Sequence, residues 1–508
     1  MLALSAAPAY SQCAGTATTA ASAADCAHHA VPLDRAAEID PAHPYSLAEL
    51  IDIAETNNPQ THIAWERAKQ AADRLGIARS AYYPVLSGIA AFADQRIISP
   101  FPKPLAPRGY TMVEVPAVVP ELTLDYLLFD FGKREARIDQ ATAEKLAAGA
   151  GFIRANQAVA FRVATAYYNL QTAQERLVAA QDTLKTAQTT EDAAEARLSN
   201  GRATRPDLLN AKAETAQATF DMESADGDEK IARVALTEVI GAEPSPNIKI
   251  DAQTSQDRTS QDKTGEQEKT PLPQQLTMTI DALIDRAIQG RPDLIAQAQE
   301  IRAADQEIRA AKSEYLPSIK LSGNGAYTSI WPTTDFGELG PANQATWAVQ
   351  LGVEWRLFDG GARKNQLAIA QSKSRQAHDE LREKQDEATR EVWTAYIGFR
   401  TAVRKEQAAE ALLDSASESY SSSLDAYKYG VKNLIDVVTA EKQLAQARLS
   451  GVSARSQLFL EAVNLEFVTG NLLRKQPPVT QPQATQPQAS QPQASQPEPT
   501  EPKDAPKP

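Results

Sequence analysis

The chain has 508 residues, of which 42% are hydrophobic, and it carries a formal net charge of -13 at pH 7. No uninterrupted apolar run reaches the roughly 18 residues that a transmembrane helix needs, so the sequence excludes a helical membrane protein. The acidic balance argues against a nucleic-acid partner, because binding to phosphates requires a basic surface. A solvated acidic exterior is the simpler interpretation of the charge.

Residues 1–45 are interpreted as the end of a signal sequence followed by an extended lead-in. The first nine residues are short, apolar and end in small side chains, as the last part of a secretory signal does. Cys13 and Cys26 lie in this stretch, where they could pair in an oxidising compartment. The residues before Cys13 match a lipoprotein cleavage site poorly, so a lipid anchor is not favoured.

From residue 46 onward the chain is duplicated. Residues 46–87 align without a gap to residues 279–320, and residues 122–241 align without a gap to residues 351–470. The offset changes between the two blocks, which places a variable loop in each copy. The predicted domains are a first repeat at 46–241, a polar insert at 242–278, a second repeat at 279–470 and a tail at 471–508.

Each repeat is predicted to contain short helices, two strands, a long helix, a tip and a return helix. The long helix of each repeat is rich in Ala, Glu, Lys and Gln, contains no proline, and alternates small and large residues at the heptad spacing of coiled coils. In the first repeat we expect strands at about 85–97 and 110–129, the long helix at 133–199, the tip at 200–206 and the return helix at 207–240. In the second repeat we expect strands at about 318–328 and 345–358, the long helix at 362–428, the tip at 429–434 and the return helix at 435–470.

The predicted strands each have one apolar face. Polar residues such as Gln350 and Glu354 separate the apolar positions, which is the alternation of a strand with lipid on one side and water on the other. The predicted lipid-facing residues are Leu122, Leu124 and Tyr126 in the first repeat and Trp347, Val349, Leu351, Val353 and Trp355 in the second. A soluble sandwich is the alternative, but helices of roughly 100 Å, at about 1.5 Å per residue, do not fit one.

Four strands per chain are too few for a transmembrane barrel, which needs about eight or more. An open strand edge is not tolerated in lipid, so the chain is expected to associate with other copies. Two segments cannot bury a core, and we interpret both as disordered or loosely attached: Asp251 to Gln275 within the polar insert, and the Gln/Pro-rich tail from Gln476.

No pattern in the sequence points to an enzyme. The five histidines show no metal-ligand spacing such as HExxH, and no glycine-rich phosphate-binding loop is present. A metal at His28 and His29 near Cys26 is disfavoured, because an extended lead-in does not hold ligands in place. No catalytic residue, cofactor or metal site is predicted.

Three doubled motifs carry a resemblance to a known family. They are a Tyr-Tyr/Leu-Pro corner at 82–84 and 315–317, a Leu-Phe-Asp-x-Gly corner at 128–132 and 357–361, and a glycine-containing helical turn that ends in Asp207 or Asp436. With these motifs, residues 46–241 and 279–470 resemble the TolC-like outer membrane factor family.

The resemblance implies an α+β membrane protein that forms a homotrimer. Its twelve strands would make an outer membrane β-barrel, and its twelve helical columns would make a tunnel through the periplasm. Members of this family are passive channels of tripartite efflux pumps and type I secretion systems. The implied partners are outer membrane lipid, a periplasmic adaptor (membrane fusion protein) and an inner-membrane transporter of RND, ABC or MFS type. A periplasmic coiled-coil scaffold or adaptor is the alternative, but it would lack the doubled apolar-out strands.

The resemblance also implies roles for individual residues. The turns match the family's adaptor-docking tips, represented by Gly201, Arg202, Gly430 and Val431. Four residues match positions of the family's closed entrance, namely Asp207, Tyr427, Lys432 and Asp436. Pro206, which has no polar side chain, and Thr439, where some members carry a second acid, suggest a weaker acidic ring. An acid in the first turn of a helix is also favoured by the helix dipole, which is the simpler role for each aspartate.

Overall fold

The computed structural model of the chain describes residues 39–103, 106–251 and 278–472. The predicted signal remnant, the cysteine pairing, most of the polar insert and the Gln/Pro-rich tail lie outside the described residues. Within the described ranges, no helix is long and apolar enough to cross a membrane.

The described residues form eight helices, four in each repeat. The first repeat contains α1 (Leu47–Asn57), α2 (Pro59–Ser80), α3 (Lys133–Ser199) and α4 (Arg205–Val239). The second repeat contains α5 (Ile280–Gly290), α6 (Pro292–Ser313), α7 (Ala362–Lys428) and α8 (Leu434–Val468). Each helix has a counterpart of equal length in the other repeat. The long helices α3 and α7 have the bounds expected from the sequence.

The short helices stack end to end on the return helices. The side chain of Asn58, which caps α2, donates to the carbonyl of Val239 at the end of α4, at 2.7 Å. Two residues after Val239, Gly241 has a φ of +76°, and a Cβ there would lie 2.7 Å from the carbonyl oxygen of Asn57. Only glycine fits this approach of two backbones. Gly470 lies in the same way against Arg291, so α4 with α2, and α8 with α6, form two composite columns.

Four columns therefore run side by side. Helix α3 packs against both composite columns, while α7 packs against the column of α6 and α8. The order across the molecule is α2/α4, α3, α6/α8 and α7.

The strands continue these columns in the same order. They are β1 (Pro44–Tyr45), β2 (Val85–Pro100), β3 (Tyr110–Phe129), β4 (Lys249–Ile250), β5 (Ser318–Ile330), β6 (Thr333–Thr334), β7 (Gly337–Glu338) and β8 (Ala342–Glu354). The main sheet is antiparallel with the order β2, β3, β5 and β8, and the short β6 and β7 extend it beside one end of β3. In the described sheet, β2 and β8 are thus the edge strands of its long part.

Several strand ends differ from the expected ones. Strand β2 extends to Pro100 and β5 to Ile330, and β8 spans Ala342–Glu354 instead of 345–358. The last pair between β5 and β8 joins Ser318 to Glu354, so the residues after Glu354 have no partner strand although their apolar alternation continues. Trp355, expected on the lipid-facing strand, therefore lies beyond it, and its indole nitrogen donates to the carbonyl of Tyr315 at 3.1 Å.

The return helices begin one or two residues before the predicted positions. The N-cap residues are Thr204 and Asn433, so the first helical residues are Arg205 and Leu434. Because the cap side chain binds the backbone N–H three residues later, the cap fixes the helix start more firmly than the apolar pattern does.

The largest apolar core lies where α1 packs against α3 and α4. Leu50, Val163, Leu170 and Leu236 have no exposed surface there. The two-residue strands β1 and β4 pair in parallel beside this core. Strand β4 lies within the predicted segment 242–278 and ends just before the stretch that was interpreted as disordered.

Candidate functional site

The two tips have the same backbone construction. Gly201 and Gly430 have φ values of +67° and +85°, a left-handed conformation that costs other residues about 1 kcal/mol or more. The N–H groups of Arg202 and Val431 each bond back to a carbonyl five residues earlier, at 2.8 Å. These are Schellman-type helix ends, which turn the chain sharply from the long helix into the return helix.

The second tip presents apolar side chains to solvent. Val431 is 80% exposed and its neighbour Tyr429 is 87% exposed. Ile435, in the first turn of α8, is also exposed. The predicted docking residues therefore lie at the end of the helical hairpins, where another protein can reach them.

Asp207 and Asp436 are both members of the capping boxes that begin the return helices. The backbone N–H and the hydroxyl of Thr204 donate to Asp207 Oδ2 at 2.9 and 2.7 Å. These two hydrogen bonds, the backbone one first, lower the pKa of Asp207. Asp436 receives the N–H of Asn433 at 3.3 Å. Each aspartate is the third residue of a capping box, which agrees with the simpler role considered above.

The other two predicted entrance residues lie close to the same turn. Tyr427 is only 3% exposed and packs in an apolar cluster at the tips with Leu434 and Val437. Its hydroxyl is buried without a hydrogen-bond partner among the described residues, and burial raises its pKa. Lys432 Nζ donates to Ser423 Oγ at 3.0 Å rather than to Asp436.

Arg197, in the last turn of α3, was not singled out from the sequence. Its guanidinium carbon lies 4.4 Å from the centre of the Tyr427 ring. Nη1 donates to the carbonyl of Tyr427, and Nη2 donates to the carbonyl of Arg202 at 3.2 Å. The one available signal was a basic residue in the last turn of a helix.

Farther from the tips, polar groups join α3 to the second hairpin. The hydroxyl of Thr190 donates to Glu441 Oε2 at 2.9 Å and lies 3.2 Å from the hydroxyl of Tyr420. Arg448 Nη1 lies 3.3 Å from the hydroxyls of Thr183 and Thr186. Glu441 is 6% exposed, and burial raises its pKa. Sequence reasoning did not find this contact, because it joins residues more than 200 positions apart.

At the other end of the molecule, the predicted lipid-facing residues of both repeats, except Trp355, lie on one face of the main sheet. Leu124 is paired with Gly323, which is paired with Val349, and the adjacent row on the opposite face contains Asp125, Ser322 and Gln350. We call the first surface the apolar sheet face; its members are Leu122, Leu124, Tyr126, Trp347, Val349, Leu351 and Val353. On β8 these side chains are 66–81% exposed in the single chain.

The opposite face carries polar contacts between strands. Lys320 Nζ lies 2.6 Å from Glu354 Oε2, and the amide of Asn324 donates to Glu121 at 3.1 Å. Within the described ranges, no group of His, Cys, Asp and Glu side chains is arranged to hold a metal.

Comparison with known families identifies the class of protein. The family model described as outer membrane efflux protein matches residues 50–242 and 283–471. The chain belongs to the outer membrane efflux protein family. The family predicted from the doubled motifs is confirmed.

Relatives cover most of the chain. Protein CyaE of Bordetella pertussis is 25% identical over 429 residues, which make up 84% of this chain and 85% of CyaE. Outer membrane protein TolC of Vibrio cholerae is 22% identical over 431 residues, 84% of this chain and 91% of that protein. The solved structure of the outer membrane protein VceC from Vibrio cholerae has a TM-score of 0.67 at 21% identity, covering 84% of this chain and 96% of VceC.

The chain is thus an outer membrane export channel protein with a helical tunnel in the periplasm. Its family is a family of transport channels and not of enzymes. The alternative of a periplasmic scaffold or adaptor without a membrane sheet is not supported.

Proposed function

We propose that three copies of this chain form one channel, with a twelve-stranded barrel in the outer membrane and twelve helical columns in the periplasm. The observation that carries the proposal is the shared order of strands and columns. It leaves β2 and the α2/α4 column at one side of the chain, and β8 and α7 at the other. A strand edge has unpaired N–H and C=O groups, which lipid does not tolerate. Pairing β8 of one copy with β2 of the next satisfies both edges.

The two faces of the sheet support the same arrangement. The apolar sheet face is broad and exposed in the single chain, and it suits the hydrocarbon of a bilayer. The face that carries Lys320, Glu354 and Asn324 suits a water-filled lumen. Closing the sheet with the apolar face outward provides both surroundings.

The tips are the proposed docking sites for a periplasmic adaptor. Gly201, Arg202, Gly430 and Val431 lie at the turns of the two hairpins, and the second turn exposes apolar side chains. Exposed apolar residues on a rigid turn are typical of protein-binding surfaces. In this proposal an inner-membrane transporter supplies the energy and the adaptor connects it to a passive channel.

Asp207, Tyr427, Lys432 and Asp436 are proposed to surround the entrance. Each appears three times in a trimer, so the aspartates gather negative charge at a narrow opening, which attracts cations and repels anions. Lys432 is held by Ser423 in the single chain and would be available to a carboxylate of the next copy after a change of rotamer. One exposed pair contributes only about 0–1 kcal/mol, but three copies act on one equilibrium.

Disulfide crosslinking tests how the sheet closes. With both native cysteines replaced by serine, one cysteine at Ala91 on β2 is combined with a second at Thr346, Ala348 or Gln350 on β8. At least one pair should form covalent dimers and trimers, because these positions lie on the proposed lumen face. Cysteine at Thr123 on the interior strand β3 is the matched control and should give no crosslink between chains. If no β8 position crosslinks to Ala91 in outer membranes, the proposed closure is wrong.

Photocrosslinking tests the docking role. A photoreactive residue at Arg202 or Val431 should capture a periplasmic adaptor in cells, whereas the same residue at exposed Arg404 on α7, far from the tips, should not. If neither Arg202 nor Val431 captures a periplasmic adaptor, docking at the tips is wrong.

Bilayer recordings test the entrance. Lys432→Glu should raise single-channel conductance, because it adds repulsion where the columns converge. Asp436→Asn should reduce cation preference. Unchanged conductance and selectivity in both variants would leave Asp436 as a helix cap and Lys432 as a partner of Ser423 only.

A further inference from the structure

We propose that Arg197 is a positioning residue that clamps the end of α7 to the end of α3 and thereby limits how far the entrance opens. This inference rests on the entrance proposed above. In this proposal Arg197 does not line the opening itself. It acts through Tyr427, whose position it fixes.

The contacts of Arg197 reach both hairpins. Nη1 donates to the carbonyl of Tyr427 on α7, and Nη2 donates to the carbonyl of Arg202 in the first tip. The planar guanidinium also stacks on the Tyr427 ring, 4.4 Å from its centre. One side chain thus holds the turn of its own hairpin and the last turn of the other long helix. Lysine cannot reproduce this, because its ammonium is a single point of charge rather than a planar fork.

The position of the charge explains why a cation is needed there. Helices α3 and α7 both run toward the tips and end side by side, so the partial negative charges of their C-termini approach each other. Arg197 places one positive charge at these two ends and adds a charged donor to the carbonyl of Tyr427, which also accepts the N–H of Gly430 at 2.9 Å. A neutral side chain would leave the carbonyl of Tyr427 without this donor and the two helix ends repelling each other.

The surroundings make the contact sensitive to separation of the hairpins. Tyr427 is 3% exposed, and Ala194, one turn before Arg197 on α3, has no exposed surface in the same apolar cluster. Moving the end of α7 away from α3 would break the contacts of Arg197 and expose Ala194. Burial of residue 194 therefore reports the state of the clamp.

The test uses trimers that carry Ala194→Cys, with both native cysteines replaced by serine. The rate of maleimide modification of this thiol and the single-channel conductance are measured for Arg197→Met, Arg197→Lys and the parent. Lys185→Met, which removes an exposed positive charge from the same helix, is the matched control. Arg197→Met should raise the modification rate at least about tenfold, equivalent to about 1.4 kcal/mol, and should increase conductance. The modification rate and conductance of Arg197→Lys should lie between those of Arg197→Met and the parent, and those of Lys185→Met should match the parent.

Equal modification rates and conductances in all four proteins would overturn the clamp. If Arg197→Met does not assemble, the lysine variant decides, because it keeps the charge and loses only the planar fork and the contact with the ring. A modification rate and conductance of Arg197→Lys equal to those of the parent would then refute the inference. Failure of the parent itself to give trimers or channels would instead contradict the proposed function. A lower melting temperature with unchanged modification and conductance would make Arg197 a structural residue only.

Discussion

Arginine substitutions along β8 measure where the membrane lies on the sheet. Val349, Leu351 and Val353 lie on the apolar sheet face, and Gln350 lies between two of them on the opposite face. Val349→Arg, Leu351→Arg and Val353→Arg place the same cation at increasing distance from the centre of the strand. Gln350→Arg is the matched control.

The magnitude follows from the strand geometry. The midpoint of Ala342–Glu354 is Ala348. With a rise of about 3.3 Å per residue and a tilt of about 40°, Val349 lies about 3 Å, Leu351 about 8 Å and Val353 about 13 Å from the midplane. The apolar band is about 25 Å tall, so the arginine cost should fall from about 2–4 kcal/mol per subunit at Val349 to about 0–1 at Val353.

Urea-induced dissociation and unfolding of trimers in phospholipid vesicles gives these free energies. The cost at Leu351 should lie between the other two, and Gln350→Arg should stay within about 0.5 kcal/mol of the parent, as surface substitutions do. Each substitution is present three times, so the unfolding free energy of the trimer should change by three times the cost per subunit. A cost at Gln350 equal to that at Val349, or one that rises toward Val353, would refute the assigned face or the assigned depth.

Three further predictions concern the helical part. Glu441→Gln should raise the urea concentration at the unfolding midpoint at pH 7. Burial raises the folded-state pKa of Glu441 above its usual 4.5, so ionisation of this carboxyl removes stability as the pH rises through the raised pKa. Below about pH 4 the carboxyl is protonated in both states, and the advantage of the glutamine variant should vanish in a urea titration. Gly430→Leu should strain the left-handed turn by about 1–2 kcal/mol and abolish export in a drug- or protein-release assay while trimers persist on gels; normal export would contradict docking there. Arg291→Met should lower the unfolding free energy by about 2 kcal/mol, because Arg291 is buried and Glu391 loses its 2.5 Å partner, whereas exposed Arg302→Met should have no effect. A pH-independent effect at Glu441, or equal effects at the two arginines, would contradict the assigned roles.

The helices could be placed from the sequence because the signals that begin and end them are local. An alanine-rich run without proline extends until a glycine permits the left-handed turn, which Gly201 and Gly430 do. The alternation of β8 likewise predicted its apolar face. Its end could not be predicted, since pairing stops where β5 begins at Ser318, and that limit belongs to the partner strand.

The side-chain contacts near the tips could not be predicted for a similar reason. Arg197 and Tyr427 are 230 positions apart, as are Thr190 and Tyr420. No local period encodes such a pair, and the equal offsets arise because α3 and α7 run in the same direction toward the tips. The entrance residues came from family resemblance, and their caps and hydrogen bonds became visible only in the folded chain.

The continuity of strand and helix has a mechanical consequence. Strand β3 leads directly into α3, and its pairing with β2 and β5 anchors that end of the helix in the sheet. The helix of 67 residues is about 100 Å long at about 1.5 Å per residue, so in the proposed channel it would act as a lever with its pivot at the sheet. A tilt of only about 5° moves the far end by about 9 Å over that length, roughly the distance between neighbouring packed helices. The tips can therefore separate widely while each hydrogen bond of the sheet changes very little.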